Sequence, residues 1–245
     1  MFSPLEQFEN HLFYPFKILG YDFSFTSFSL SITFSFIFFC LLFLLNLSRV
    51  YVIPTHPQYV IENFYMFIVG MVRSQTGFSG FSYVPLVMSI FSFIFCCNFL
   101  GLIPFSFTST AQIFLPFFLS ITLNFGLIVI GLYRHQITFF KLFVPSGISV
   151  FLIPLVFVIE ISTYLLRPFS LALRLFANIM AGHTLLFICT ITLYIGLVTS
   201  TFIFVTGVGL VFAVFTLELL ISFLQAYVFS VLFCVYLNDS LHPVH

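Results

Sequence analysis

Residues 148–195 read ISVFLIPLVFVIEISTYLLRPFSLALRLFANIMAGHTLLFICTITLYI. Almost every position is apolar, yet Glu160, Arg167, Arg174, Asn178 and His183 are embedded in the run. A helix crosses a hydrocarbon layer of about 30 Å in about 20 residues. The run is therefore longer than one perpendicular span, which predicts strong tilt, kinks, or more than one crossing. Pro154 and Pro168 are the expected kink points. Residues 202–237 form a second long run that holds Glu218 and Gln225, with Asp239 just past its end.

Composition extends this reading to the whole chain. Of 245 residues, 61% are hydrophobic and 6% charged, whereas a soluble domain carries about 25% charged residues to solvate its surface. Lipid is the expected solvent, and a water-soluble fold or nucleic-acid-binding module is excluded. Shorter runs at 25–47, 83–105 and 112–133 each suit one span. Residues 58–73 differ: Tyr59, Val60, Phe64, Phe67, Ile68 and Met71 recur near helical spacing, with Gln58, Glu62 and Asn63 between them. This segment predicts an amphipathic helix at the membrane surface. The expected fold is an all-α integral membrane protein of five to six helices in a single polytopic domain.

Basic residues set the orientation. Arg49 and Arg73 flank one loop, and Arg134 and Lys141 lie in another two spans later. Both loops are expected on the cytoplasmic or matrix side. The N-terminus then lies outside, and the C-terminus inside if each long run crosses once. The N-terminal segment holds Glu6 and Glu9 before its first basic residue, Lys17, unlike a secretory signal or a transit peptide. The 41 phenylalanines and the absence of tryptophan fit an AT-rich coding bias. Both features suit a chain synthesised inside an organelle. Cys40, Cys96, Cys97, Cys189 and Cys234 lie in apolar runs without metal-ligand spacing. They are expected to be buried thiols, with no metal and no cofactor.

A charge inside a membrane costs about 2.5–3.5 kcal/mol on insertion scales, so each such residue calls for a function or a partner. Arginine keeps its charge at any biological pH and cannot relay protons. Arg174 is therefore expected to attract a carboxylate, repel a charged proton carrier and act as a barrier. Voltage sensing would need more arginines at regular spacing than Arg167 and Arg174. Ser170, Ala177, Asn178 and Ala181 share the helix face of Arg174, and small residues let another helix approach closely. Glu160 lies about 21 Å before Arg174 along a continuous helix and His183 about 13 Å after it. His183 and Glu218 are residue types suited to proton transfer. The alternatives to function are a buried ion pair, a snorkelling side chain or ordinary packing.

Three stretches carry a family resemblance: SLALRLFANIMAGH (170–183), LELLISFLQAYVFSVL (217–232) and NFLGLIP (98–104). In this order they resemble subunit a of F-type ATP synthases, and the likeness covers most of the chain. The resemblance implies that 148–195 and 202–237 form a long tilted helical hairpin wrapping a rotor ring, and that 58–73 lies on the matrix surface. Arg174 would be the essential arginine facing the ring carboxylate, with Asn178 as its amide neighbour and Gln225 facing it from the last helix. His183 and Glu218 would line the half-channel from the intermembrane space or periplasm, and Glu160 and Asp239 the matrix-side half-channel. Ser170, Ala177 and Ala181 would face the rotor. The order His183 then Glu218 is typical of mitochondrial members, which implies an inner-membrane protein encoded in the organelle. Residues 1–51 match only in general pattern.

The implied partners are c-ring rotor subunits, peripheral-stalk and other membrane subunits, and the bilayer, with protons as the transported ion. Protons would pass through two offset half-channels and turn the ring. The chain would not be an enzyme by itself: it has no phosphate-binding GxxxxGKS loop, so nucleotide chemistry falls to other subunits. A proton-coupled secondary transporter is the main alternative, but it predicts internal repeats with paired broken helices, which the sequence lacks. A membrane assembly protein with merely structural ion pairs is the other.

Overall fold

In lipid a backbone must satisfy its own hydrogen bonds, so long apolar runs become helices. The computed structural model of the chain describes residues 8–18, 21–22, 24–47, 54–103, 106–136, 139 and 151–242. Arg49, Lys141, Glu6, Pro104 and the segment 145–150 lie outside the described residues. The α-helices are α1 (Ser27–Leu47), α2 (His56–Thr76), α3 (Val84–Gly101), α4 (Phe114–His135), α5 (Ile153–Thr199) and α6 (Thr201–Leu241). Four helical stretches among the described residues are long and apolar enough to cross a membrane: 56–101, α4, α5 and α6. The protein is an all-α multi-pass membrane protein.

Local signals account for the helix ends. Asn10 Oδ1 accepts hydrogen bonds from the Phe28 N–H (3.2 Å) and the Ser27 hydroxyl (2.9 Å) at the start of α1. Thr26 and Ser29 add a reciprocal capping box, each backbone N–H bonded to the other's hydroxyl at 3.0 and 3.3 Å. Proline in the first turn opens α2, and Gly77, with φ of +62°, closes it. The seven residues Gly77–Tyr83 continue to α3 as a 3-10 helix. Arg134 and His135 sit in the last turn of α4, where cations complement the helix dipole.

Two features depart from the expectations. Strands β1 (Leu12–Tyr14), β2 (Lys17–Ile18), β3 (Tyr21–Asp22) and β4 (Phe25–Thr26) form nested antiparallel ladders, β1 with β4 and β2 with β3. They are too short to show as a period-two pattern. Pro154 is the second residue of α5 and opens the helix instead of kinking it. Pro168 lies inside α5, where it deprives the Tyr164 carbonyl of its helical donor.

The chain divides into two compact units. The first comprises residues 1–47, 92–113 and 174–226. Here only Ser200 separates α5 from α6, and glycines allow the two helices to touch. A Cβ at Gly196 would stand 2.7 Å from the Phe204 nitrogen, and one at Gly207 would stand 3.1 Å from the Leu193 Cα. Phe95 of α3 meets Phe223 of α6 edge to face at 6.1 Å. Ser106 lies within hydrogen-bond distance of the Leu100 and Ile103 carbonyls, both at 2.7 Å, at the end of α3.

The second unit comprises residues 48–91, 114–173 and 227–245. On α2, Ile68, Met71 and Val72 are buried while Tyr59, Val60 and Met66 are exposed. Phe64 and Phe67 pack against Phe91 of α3, the first ring tilted at 5.5 Å and the second edge to face at 5.9 Å. Ser120 of α4 donates a 2.7 Å hydrogen bond to the Pro168 carbonyl. His135 reaches the Leu241 carbonyl at 2.9 Å, His242 reaches Ser79 at 3.0 Å, and Arg134 lies over Tyr83. The C-terminal ends of α4 and α6 and the 3-10 helix therefore meet in one place.

The hairpin geometry makes a prediction. A methyl group at Gly196 meets backbone atoms, which cannot swing aside as a side chain could. Gly196→Ala is expected to lower stability by about 1–3 kcal/mol, read as a lower midpoint for thermal loss of the detergent-solubilised protein. An unchanged midpoint would contradict the close approach.

Candidate functional site in the membrane

In the first unit the polar residues of α5 and α6 have very different surroundings. Arg174 is exposed on α5, and no hydrogen bond or ion pair holds its guanidinium among the described residues. Ala177 and Ala181 are also exposed, and so is Ser170 one turn earlier on α5, in the stretch that belongs to the second unit. Asn178 and Gln225 are half-buried and unconnected to Arg174 by any hydrogen bond among the described residues. A permanent cation on a helix face of small side chains has neither a local counter-ion nor bulky neighbours to cover it.

Glu218 is the opposite case. It is 6% exposed, and neither carboxylate oxygen has a protein partner among the described residues. Its side chain packs directly on Gly182 of α5, so closely that a methyl there would overlap the carboxylate. The next residue, His183, is half-buried, and its ring meets Phe8 edge to face at 6.2 Å. The fold thus places the backbone beside His183 against Glu218, and no hydrogen bond joins their side chains among the described residues. Burial and a tight glycine contact hold an acid whose ionised form would be costly without water.

Further polar groups in this unit were not singled out from the sequence. Both amide atoms of Asn98, the Thr110 hydroxyl and the Ser222 hydroxyl are buried without a protein partner among the described residues. Ser222 lies one turn after Glu218 on α6, and Asn98 lies one turn after Phe95, which touches α6 through Phe223. Each unsatisfied buried polar group costs about 1–3 kcal/mol, and buried water is the usual remedy. The sequence signal for such groups is polarity inside apolar helices; hydroxyls carry little of it, and Asn98 falls within NFLGLIP.

In the second unit one pair of opposite charges meets. Arg167 Nη1 donates to Asp239 Oδ2 at 3.1 Å. The guanidinium also lies over the rings of Tyr164 and Tyr236, at 5.1 and 4.7 Å. Ser120, Asn124, Pro168 and Phe229 join Arg167 and Tyr236 around a crevice of about 10 Å³, the space of roughly one water. Glu160 is half-buried with no carboxylate partner among the described residues. No group of three or more histidine, cysteine or acidic residues is placed to hold a metal ion among the described residues.

Comparison with known proteins places the chain in a family. A family model described as ATP synthase A chain matches residues 27–238. The chain is similar to ATP synthase subunit a of Bartonella tribocorum, 40% identical over 251 residues, covering 99% of this chain and 98% of that one. It is similar to ATP synthase subunit a of Rhizobium meliloti, 41% identical over 249 residues with 98% of each chain covered. It is likewise 40% identical over 248 residues to ATP synthase subunit a of Acanthamoeba castellanii, with 100% of each chain covered. The family-model match takes in α5 and all but the last three residues of α6, with Arg174, His183 and Glu218 inside it and Asp239 just beyond its end. The chain belongs to the ATP synthase A chain family.

Proposed function

We propose that this chain conducts protons past the rotor of an F-type ATP synthase and couples their flow to rotation. One observation carries the reading: Arg174 stands exposed and uncompensated on a face of small residues within a membrane-spanning helix. A bare cation there needs a carboxylate from outside the chain, because an unpaired charge in lipid is costly. A ring of c subunits with membrane carboxylates supplies that partner, and Ser170, Ala177 and Ala181 allow its helices to come close.

The route has two sides. A proton enters past His183 and Glu218, where the buried polar atoms of Asn98, Thr110 and Ser222 suit ordered water. It neutralises a ring carboxylate, which can then turn through lipid. After nearly a full turn it leaves on the side of Glu160 and Asp239. Arg174, assisted by Asn178 and Gln225, holds the deprotonated carboxylate and blocks a direct leak. Each proton delivers about 2.3 kcal/mol per 100 mV of membrane potential. The chain performs no bond chemistry itself; ATP is made by other subunits of the complex, and peripheral-stalk and other membrane subunits hold this one still. The order His183 then Glu218 and the phenylalanine-rich composition support the mitochondrial inner membrane as its location.

Two substitutions test the route in vesicles carrying the assembled synthase. Arg174→Ala is expected to cut ATP-driven proton pumping by roughly tenfold or more; full pumping would remove Arg174 from the mechanism. Glu218→Gln is expected to slow passive proton flux by about tenfold while assembly survives. Gly182→Ala, which displaces the same carboxylate, is expected to lower flux in the same direction. Unchanged flux in Glu218→Gln would take that carboxyl off the pathway.

A further inference from the structure

A second arginine lies on α5 in the second unit, close to the proposed inner side. Glu160 and Arg167 are seven residues apart, so they project from nearly the same helix face, about 10.5 Å apart along the axis. A bare guanidinium there would repel a positively charged proton carrier on its way to or from Glu160, as Arg174 is proposed to do by design. The packing around Arg167 prevents this. Tyr164 and Arg167 of α5 and Tyr236 and Asp239 of α6 form two pairs, each spaced by three residues and so on one helix face. They close around one ion pair: Arg167 Nη1 to Asp239 Oδ2 at 3.1 Å, with the guanidinium over both rings at 5.1 and 4.7 Å. The side chains are 20% and 28% exposed, so the pair is accessible to water yet held by three contacts. Asp239 is committed to Arg167, while the Glu160 carboxylate has no partner among the described residues.

We propose that Asp239 is a positioning residue: it neutralises and immobilises Arg167, leaving Glu160 as the carboxylate that exchanges protons on the inner side. The assignment rests on the reading of this chain as the proton-conducting subunit. It differs from a role for Asp239 as a second proton carrier, and from a clamp that only staples α5 to α6. The three roles respond differently to removing both charges. A carrier lost from the single variant stays lost in the double variant. A staple fails equally when either partner is removed. A shielding partner is needed only while the cation it shields is present.

Vesicles carrying the assembled synthase, normalised to the amount of complex, provide the measurement: passive proton flux followed with a fluorescent pH probe. Asp239→Asn is expected to reduce flux about tenfold by baring the Arg167 cation. The double variant Arg167→Gln/Asp239→Asn is expected to recover to within about threefold of wild type. A double variant as slow as Asp239→Asn alone overturns the proposal and makes Asp239 a carrier. Equal losses in Arg167→Gln and Asp239→Asn, unrelieved in the double variant, overturn it in favour of a staple. If the double variant fails to assemble, the exchanged pair Arg167→Asp/Asp239→Arg decides: recovered flux supports the shielding role, and lost flux overturns it. Wild-type vesicles without flux would instead contradict the proton-conducting reading, whereas normal wild-type flux without rescue contradicts only the role of Asp239.

Discussion

A charge in a lipid-spanning helix must find an opposite charge, water or a partner protein, because hydrocarbon offers it nothing. The chain meets this constraint in three different ways. Arg167 finds its counter-ion within the chain, on Asp239. Glu218 is buried against a glycine of α5, with buried hydroxyl and amide groups in the same unit that suit water. Arg174 finds nothing among the described residues and faces outward. Those three solutions separate a paired cation, a buried acid without a protein partner and an exposed cation without a counter-ion among the described residues.

The same constraint explains the shape of the elements that carry these charges. α5 and α6 are long, mostly exposed and joined by a single residue. Their mutual contact depends on glycines, because only a missing side chain lets two backbones meet at Gly196 and Gly207. Large exposed apolar residues such as Leu166, Leu173 and Leu185 on α5 face lipid or a partner without cost. Small residues beside Arg174 leave room where the proposed partner would pass. The helices thus hold the charges along one scaffold and keep one face open.

Much of this was legible in the sequence because hydrophobic length and misplaced charge are strong signals. Runs of apolar residues announced the helices, and Arg174, Glu160 and Glu218 stood out within them. Pairing was not legible. Arg167 and Asp239 are 72 residues apart, and no spacing rule could join them before α5 and α6 were seen to fold together. The contact of Gly182 with Glu218 was hidden for the same reason. Asn98, Thr110 and Ser222 are uncharged, so their burial without partners among the described residues is visible only in the packing. The short ladders before α1 contain too few residues per strand to announce themselves by alternation.

Arg174 gives this account its centre, and its surroundings in the intact complex test it most directly. A density map of the assembled synthase measures what lies opposite its guanidinium. The account predicts a ring of helical hairpins there, with a ring carboxylate approaching Arg174 and the Ala177 and Ala181 face against the ring helices. An Arg174 turned to lipid, or covered by another segment of its own chain, would contradict it.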